Sequence, residues 1–326
     1  MKSVVVEAPA RLHLGFIDLS GSLSRKFGSL GVAVSGISTR LTFRPGTQLD
    51  VGNGPEAERV AQYQQMIMKH FGWTNGSQIT IDEHIPSHAG LGSGTQLALA
   101  VGRGVSALYG QPISTAEIAE ITKRGARSGI GIGVFESGGF VVDLGRGPET
   151  VLPPELCRLE FPSEWAVVLV HDHYHCGISG NSEASAFQKM TPMKPSMAAA
   201  LSHHTLMGII PSVIERDFSQ YVRSLEFIQN GIGEYFAPYQ GGRPFTSERV
   251  ASMIERIKTK YPELGSGQSS WGPTGFVFCP NMAQARELLS YCENELTPAV
   301  DYDGLRCSIH EPRNHGATIT HLDVPG

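Results

Sequence analysis

The sequence predicts an α+β fold in two lobes, and three observations support this prediction. The chain has 326 residues, about twice the ~150 residues of one typical domain. Strand-like segments dominate its first half, whereas longer helical patterns dominate its second half. Hydrophobic residues make up 40% and charged residues 17%, as in a folded globular chain. We place the lobes at residues 1–158 and 159–326, with a soft boundary near Glu155–Pro162.

The first lobe is predicted to combine strands with short helices. Strands are expected at Ser3–Ala8, Arg11–Ile17, Leu30–Val34, Ser38–Arg44 and Gln78–Glu83. Helices are expected at Glu56–Phe71, from Gly92–Thr95 to Leu108, and from Ser114 to Arg124. Ser114 and Glu117 form a capping box for the last of these. Val134–Phe135 and Phe140–Val142 are interpreted as a hairpin around Gly138 and Gly139.

The second lobe is predicted to be richer in helix. A buried strand is expected at Ala166–His171. Between Phe218 and Tyr235, apolar residues recur at steps of three and four, which predicts one long helix with an apolar stripe. Such a stripe is a core face or, alternatively, a dimer face. The remaining elements are a helix at Ser247–Lys260, a strand at Gly275–Cys279, a helix at Met282–Tyr291, and strands at Leu305–His310 and Ala317–His321.

Charge and composition exclude several classes of protein. Lys and Arg number 26 against 31 Asp and Glu, so the net charge of −5 argues against a nucleic-acid partner. No apolar run approaches the ~18 residues of a membrane span, and Glu7 and Arg11 interrupt the N-terminal apolar segment too early for a signal peptide. The five cysteines form no C-x-x-C pair and are odd in number, which predicts free thiols in a reducing cytoplasm.

A glycine-rich loop at residues 86–96 predicts phosphate binding. It reads P-S-H-A-G-L-G-S-G-T-Q and lies between a predicted strand and a predicted helix. Backbone N–H groups in such a turn, together with the positive end of the helix, bind anions. A tight helix start without a ligand is the alternative, and no Lys follows the loop as in a Walker A motif. The candidate residues for diphosphate are Gly90, Leu91, Gly92, Ser93, Gly94 and Thr95.

Four motifs in one order resemble the GHMP small-molecule kinases. They are A-P-A-R-L-H-L-G at 8–15, the loop at 86–96, G-A-R-S-G-I-G-I-G-V-F-E-S-G-G at 125–139 and G-S-G-Q-S-S-W-G-P-T-G-F at 265–276. The resemblance implies a mixed-sheet N-terminal domain with the phosphate loop. It also implies a helix-rich, ferredoxin-like C-terminal domain and, together with the apolar stripe, a homodimer.

One position departs from the kinases that use a catalytic base. Those kinases place an aspartate where this chain has Gly131, and glycine cannot accept the proton of a substrate hydroxyl. Glu120 matches the acidic residue that holds Mg²⁺ in those kinases, so Glu120 and Ser93 are the predicted metal ligands. The alternatives are a kinase that works without a base and an inactive regulator that binds a ligand. Whether ATP binding is retained stays open.

A narrower resemblance accounts for the missing base. The segments R-L-H-L-G-F-I-D-L at 11–19, F-G-S-L-G-V-A at 27–33, R-G-x-R-S-G-I-G at 124–131 and G-Q-S-S-W-G-P-T at 267–274 resemble the beta-ribofuranosylaminobenzene 5'-phosphate synthases. This resemblance implies a Mg²⁺-dependent pentosyltransferase that condenses 5-phosphoribosyl diphosphate with 4-aminobenzoate and releases CO2 and diphosphate. The product is a precursor of methanopterin-type one-carbon carriers. The sequence does not separate 4-aminobenzoate from 4-hydroxybenzoate.

The same segments supply the other candidate site residues. The predicted catalytic residues are Arg11, Asp18, Arg127 and Ser128. The predicted substrate-binding residues are His13, Arg25, Ser29, Ser269, Ser270 and Trp271. A guanidinium group grips a phosphate or a carboxylate with two hydrogen bonds, although which arginine meets which anion stays open. Trp271 is expected to stack on the aromatic acceptor or, alternatively, to belong to the core.

Two further signals carry less weight. His171, His173 and His175 alternate along a strand, but the outer two would lie ~13 Å apart if extended, too far to share one zinc ion. An active-site role for His171 or His173 is the alternative. Glu183 follows G-I-S-G-N-S, a segment that resembles a helix start lining the cleft.

Overall fold

Two long antiparallel strands, β1 and β2, form the centre of the first sheet. The computed structural model describes residues 2–177, 186–187, 189–297 and 302–323. The strands of this sheet are β1 (Lys2–Asp18), β2 (Phe27–Gly46), β3 (Asp50–Val51), β4 (Gly76–Glu83), β5 (Phe140–Asp143), β6 (Glu155–Leu159) and β11 (Thr318–Asp323). Their order is β11-β1-β2-β4-β3, and β5 and β6 branch from β2.

Each of the first two strands joins a pair of predicted strands into one. Ser3–Ala8 and Arg11–Ile17 merge in β1, with a register shift between Pro9 and Ala10. Proline has no backbone N–H to donate, so an irregularity at this position is expected. The strand therefore continues past the bulge and delivers Arg11 and His13 to the middle of the protein.

Helices cover one face of this sheet. They are α1 (Ala57–Phe71), α2 (Ser93–Tyr109), α3 (Thr115–Ile121) and α4 (Ile130–Ser137). Helix α2 approaches β2 so closely that a Cβ atom added at Gly104 would lie 2.1 Å from Cε2 of Phe43. The capping box of Ser114 and Glu117 is present at the start of α3, as predicted.

The predicted hairpin at 134–142 is wrong in its first half. Val134 and Phe135 belong to α4, and Phe140–Asp143 alone forms a strand. Ile130 and Val134 are four residues apart and pack together against Ala33 and Val141. A short apolar run fits both a strand and a buried helix, so the partner across the interface decides between them.

The second sheet has the order β10-β7-β9-β8 and is antiparallel. Its strands are β7 (Ala166–Asp172), β8 (Gly265–Gln268), β9 (Thr274–Cys279) and β10 (Leu305–His310). The surrounding helices are α5 (Pro195–His204), α6 (Ile210–Glu215), α7 (Phe218–Phe236), α8 (Glu248–Lys260) and α9 (Met282–Tyr291). The last strand, β11, returns to the first sheet and pairs with β1. The division into residues 1–158 and 159–326 stays a prediction.

The apolar stripe of α7 is a core face. Tyr221, Leu225 and Ile228 are fully buried and Ile232 is nearly so. A π-helical segment, Thr205–Ile209, joins α5 and α6 into one continuous helix, Pro195–Glu215. Among the described residues, this helix alone has the length and mean hydropathy of a membrane span, with 39% of its apolar window buried. The sequence had led us to expect no such run. This helix contacts α7 and β1, as a core helix of a globular protein also does.

Candidate active site

A cavity of about 530 Å³ lies at the N-terminus of α2. We call it the cationic cavity, because five positively charged side chains line it: Arg11, Arg59, Lys123, Arg124 and Arg127. The phosphate loop supplies Gly90, Gly92, Ser93, Gly94 and Thr95 to the same wall. The structure thus places the predicted diphosphate loop beside a concentration of positive charge.

The loop takes its shape from two glycines. Gly90 has φ +79° and Gly92, the N-cap of α2, has φ +87°, a region that favours glycine. A Cβ atom at Gly90 would lie 2.2 Å from the carbonyl oxygen of Ser269. Leu91 differs from the rest of the loop, since its side chain is buried in the core and its carbonyl accepts the N–H of Arg11 at 3.1 Å. Leu91 therefore supports the loop without facing the cavity.

Arg11 and Arg127, two of the predicted catalytic residues, both line the cationic cavity. Nη1 of Arg11 donates to the carbonyl of Gly90 at 2.6 Å, which fixes this guanidinium against the loop. The guanidinium carbon of Arg127 lies 5.0 Å from the ring centroid of Phe187, a cation–π distance. Each side chain is held in place by the protein while a charged face borders the cavity.

A second cavity, of about 310 Å³, adjoins the first. We call it the aromatic cavity, because Phe16, Phe187, Phe236, Phe245 and Trp271 line it. His13, Phe16, Ser270 and Trp271 line both cavities and form what we call the shared wall. An anion site and an apolar site thus lie side by side.

His13 in the shared wall is neutral. Burial, with a smaller effect of the Arg11 charge, lowers the pKa of His13 to about 3. Its Nδ1 accepts the N–H of Gly15 at 3.3 Å, so the neutral ring carries its proton on Nε2. Within the described part of the chain, Nε2 of His13 and Nε1 of Trp271 are buried and have no hydrogen-bond partner. Two N–H donors in this wall thus remain for a ligand.

The segment Ser269–Trp271 connects the two lobes at this wall. The hydroxyl of Ser269 accepts the N–H of His13 at 3.0 Å and donates to the carbonyl of Gly90 at 2.7 Å. Ser269 is completely buried and lines neither cavity, so it positions the loop, whereas Ser270 borders both. Phe187 already stacks on the Trp271 ring at 4.9 Å and 11°. That face of the indole is therefore covered by the protein.

Ser128 borders the cationic cavity and is held in place by hydrogen bonds with Ser29 and Asp143. The hydroxyls of Ser29 and Ser128 lie 2.7 Å apart, and Ser29 also donates to the Asp143 carboxylate. Asp143 accepts the N–H groups of Gly129 and Gly145 at 2.9 and 2.8 Å. Ser29 has no exposed surface and so supports Ser128 rather than binding substrate directly. Sequence reasoning missed Asp143, although a lone aspartate that ends an apolar strand is a usable signal.

Burial raises the pKa of the Asp143 carboxyl above its usual range, while the hydrogen bonds from Ser29, Gly145, Gly129 and Ser128 oppose that effect. The carboxyl group lies behind the serines and lines neither cavity in the described part of the chain. Its role is to hold the 128–129 turn.

Three predicted site residues lie elsewhere. Oδ1 of Asp18 accepts the N–H and the hydroxyl of Ser20 at 2.7 and 2.6 Å, so Asp18 closes a turn after β1. Arg25 is exposed and donates to the carbonyls of Leu144 and Gly145. Glu120 is exposed, because α3 turns its neighbours Ile118 and Ala119 towards the core. None of the three lines either cavity.

The alternating histidines also lie away from both cavities. Nδ1 of His171 lies 2.8 Å from the Thr274 hydroxyl, and burial lowers the pKa of His171. Among the described residues, no group of three or more His, Cys, Asp or Glu side chains is placed to hold a metal ion. Glu183 lies outside the described residues.

The cationic cavity does not fit a magnesium ion held by the protein. Mg²⁺ prefers oxygen ligands and is usually bound through one or two carboxylates together with substrate phosphates. Within the described part of the chain, no Asp or Glu side chain lines this cavity. Ser93 and Thr95 offer hydroxyl oxygens, but Gly94 between them faces two guanidinium groups, Arg59 and Arg124.

Comparison with known proteins places the chain among enzymes of one type. Residues 58–139 match the family described as GHMP kinases N terminal domain. A beta-ribofuranosylphenol 5'-phosphate synthase of Archaeoglobus fulgidus is 35% identical over 96% of this chain and 98% of its own length. One of Methanothermobacter thermautotrophicus is 30% identical over 83% and 87%.

Solved structures of low sequence identity share the fold. Mevalonate diphosphate decarboxylase of Staphylococcus aureus superposes with a TM-score of 0.70 at 13% identity, over 98% of both chains. Homoserine kinase of Cytophaga hutchinsonii superposes with a TM-score of 0.67 at 15% identity, over 98% of this chain and 97% of its own. The predicted two-lobed α+β fold is confirmed.

Proposed function

The chain belongs to the beta-ribofuranosylphenol 5'-phosphate synthase family, and from this premise we propose the reaction that its two cavities support. The chain transfers the phosphoribosyl group of 5-phosphoribosyl diphosphate to a ring carbon of a para-substituted benzoate, with loss of CO2 and diphosphate. The observation that carries this proposal is an anion cavity without a described carboxylate, joined through the shared wall to an aromatic cavity.

The reaction balances without any proton acceptor. A C–C bond forms between the carboxylate-bearing ring carbon and C1 of the ribose, while the C1–O bond breaks and its electron pair leaves with diphosphate. The bond to the carboxylate then breaks, its electron pair restores the aromatic ring, and CO2 departs. No hydroxyl is deprotonated, which agrees with Gly131 at the edge of the cationic cavity.

The phosphate loop and the surrounding cations are suited to the glycosyl donor. The N-terminus of α2 contributes roughly half a positive charge, and Arg11 and Arg127 border the same space. Stabilisation of a departing anion by preorganised donors is usually the largest catalytic contribution. Arg11 and Arg127 are the proposed contacts to the phosphates or to the acceptor carboxylate.

The aromatic cavity is suited to the acceptor ring. Its charged side chains outside the shared wall are Glu226, Lys258 and Glu255, and Lys258 pairs with Glu226 at 2.5 Å. Glu255 is then the remaining negative charge, and it disfavours a carboxylate at the end of the cavity away from the shared wall. The acceptor therefore directs its carboxyl end to the shared wall, where the N–H groups of His13 and Trp271 remain as donors.

The identity of the para substituent is the finer part of this proposal. The names of the two relatives describe a phenol product, whereas the sequence resemblance implied the aminobenzene product. Both an amino and a hydroxyl group donate electrons into the ring, so either benzoate can attack. Both 4-aminobenzoate and 4-hydroxybenzoate are therefore included as acceptors in the test.

A kinase is the second candidate function, since homoserine kinase shares the fold. In addition, the chain is 23% identical over 75% of its length to a kinase of Trichormus variabilis, 4-diphosphocytidyl-2-C-methyl-D-erythritol kinase. At Gly131 an added Cβ atom would lie 2.9 Å from Cγ2 of Thr95, so a base has little space there. The absence of a described carboxylate in the cationic cavity favours the synthase. Magnesium dependence, the methanopterin pathway, a cytoplasmic location and the homodimer stay predictions.

Release of labelled CO2 tests the proposal. The purified chain is incubated with carboxyl-labelled 4-aminobenzoate or 4-hydroxybenzoate, with and without 5-phosphoribosyl diphosphate. We expect labelled CO2 that requires the donor, and an equal amount of diphosphate. ATP consumption with an alcohol and no CO2 would establish the kinase instead, and neither activity would indicate a regulator.

A further inference from the structure

Two guanidinium groups converge on the first turn of α2. A Cβ atom added at Gly94 would lie 2.8 Å from Nη2 of Arg59 and 3.2 Å from Nη1 of Arg124. Any side chain at this position would therefore displace one or both arginines. Gly94 leaves the space in which these two positive charges meet the helix N-terminus.

Neighbouring side chains hold both arginines in place. Nη1 of Arg59 donates to Oε2 of Glu56 at 2.7 Å, and the Glu56 side chain is only 5% exposed. Nη2 of Arg124 donates to the hydroxyl of Tyr63, and its guanidinium carbon lies 5.5 Å from the Tyr63 ring centroid. Nε of Arg124 is buried without a hydrogen-bond partner in the described part of the chain. The two fixed groups thus retain donors that protein atoms do not use.

The charges in this arrangement favour the binding of an anion. Two like charges and the positive end of a helix lie together, and Glu56 offsets one charge. Lys123 adds a further positive charge to the same cavity. A divalent cation would be repelled here, whereas a diphosphate matches both the charge and the forked donors of guanidinium.

We propose that Arg59 and Arg124 bind the diphosphate of the glycosyl donor at Gly94 and supply the positive charge that a protein-bound metal ion would otherwise provide. This inference rests on the proposed function for the identity of the donor. It adds two binding residues to which neither the sequence analysis nor the comparisons assign a role, although Arg124 begins the segment at 124–131.

Calorimetric titration of inorganic diphosphate into the full chain, first in EDTA and then in excess Mg²⁺, tests the inference. We expect binding in EDTA, and we expect Arg59→Ala and Arg124→Ala each to weaken it at least about tenfold, as loss of hydrogen bonds to a charged group does. Arg124→Lys keeps the positive charge but loses the forked pair of donors, so its affinity for diphosphate should lie between those of the wild type and Arg124→Ala. The matched control is Arg223→Ala, an exposed arginine that bonds Gln220 on α7.

The outcomes separate this inference from the proposed function. Binding that requires Mg²⁺, or binding unchanged in folded Arg59→Ala and Arg124→Ala proteins, would overturn the inference even if labelled CO2 is released. Metal-free binding that depends on both arginines supports it even if no CO2 appears. Circular dichroism of each variant verifies folding, and Gly94→Ala provides a second route, since its Cβ atom displaces the same two guanidinium groups and should weaken binding likewise.

Discussion

Replacing Gly131 tests whether the cavity works because it lacks a carboxylate. Gly131 on α4 faces Thr95 on α2, and an added Cβ atom would lie 2.9 Å from Cγ2 and 3.2 Å from Cβ of Thr95. Carbon atoms prefer about 3.5–4.0 Å, so even alanine is too close by about 0.6 Å or more. Overpacking costs about 1–3 kcal/mol, and the lower end applies here because the Thr95 side chain can rotate into the cavity.

A charge at this position adds a separate penalty. A carboxylate about 8 Å from one phosphate charge would weaken donor binding by about 2 kcal/mol at an effective dielectric constant of ~20. That energy corresponds to a factor of about 30 in kcat/KM for 5-phosphoribosyl diphosphate. Gly131→Asn has the same size as Gly131→Asp and no charge, so the ratio of the two isolates the electrostatic part.

The assay is the initial rate of CO2 release as a function of donor concentration, with denaturant unfolding for stability. We expect kcat/KM to fall in the order wild type, Gly131→Ala, Gly131→Asn, Gly131→Asp. Equal values for the Asn and Asp variants would refute the electrostatic reasoning. An Asp variant that phosphorylates an alcohol with ATP while keeping its synthase rate would refute the claim that the two reactions need opposite charge at this position.

Three further predictions follow from the same geometry. His13→Gln should make the free energy of unfolding less sensitive to acid. The pKa of His13 is about 3 in the folded protein and 6.5 in the unfolded chain, so the stability that neutral His13 contributes is complete above pH 6.5 and is lost as the pH falls. The expected loss is about 1.4 kcal/mol per pH unit, which urea unfolding at pH 4–7 measures. Arg127→Ala should raise the KM of at least one substrate about tenfold or more in steady-state kinetics, and unchanged constants for both would remove Arg127 from the site. Glu120→Gln should leave the magnesium titration of activity unchanged, because Glu120 is exposed and away from the cavities, and a sharply raised requirement would restore it as a ligand.

The phosphate loop was predictable because its geometry is local. Gly90 to Thr95 are contiguous, and the positive φ angles and the helix start that shape the loop follow from these residues themselves. Arg11 and Arg127 were selected because they lie inside motifs, and both line the same cavity as the loop. Leu91 is the loop residue whose side chain is buried in the core.

Two residues that line the cationic cavity, Arg59 and Arg124, were not selected from the sequence. Arg59 on α1 is indistinguishable in sequence from a solvated helix charge, and Arg124 follows α3 in a segment where only Arg127 was selected. Both reach the cavity because α1 and α3 pack beside α2. The same packing leaves Glu120 exposed. Asp18 instead accepts a hydrogen bond from the Ser20 N–H in a local turn. Which side of a helix faces a cavity depends on its neighbours rather than on its own residues.

The amino-acid sequence alone determined the fold class, the phosphate loop and the lack of a base at Gly131, because these depend on residue identity and on backbone conformations set within a few residues. Only the tertiary structure decided which charged groups meet at Gly94, which histidine is neutral and which serine faces the cavity. Those properties depend on burial and on distances between segments that packing of the whole chain brings together. Long side chains from separate elements thus complete the cationic cavity, of which the loop forms one wall.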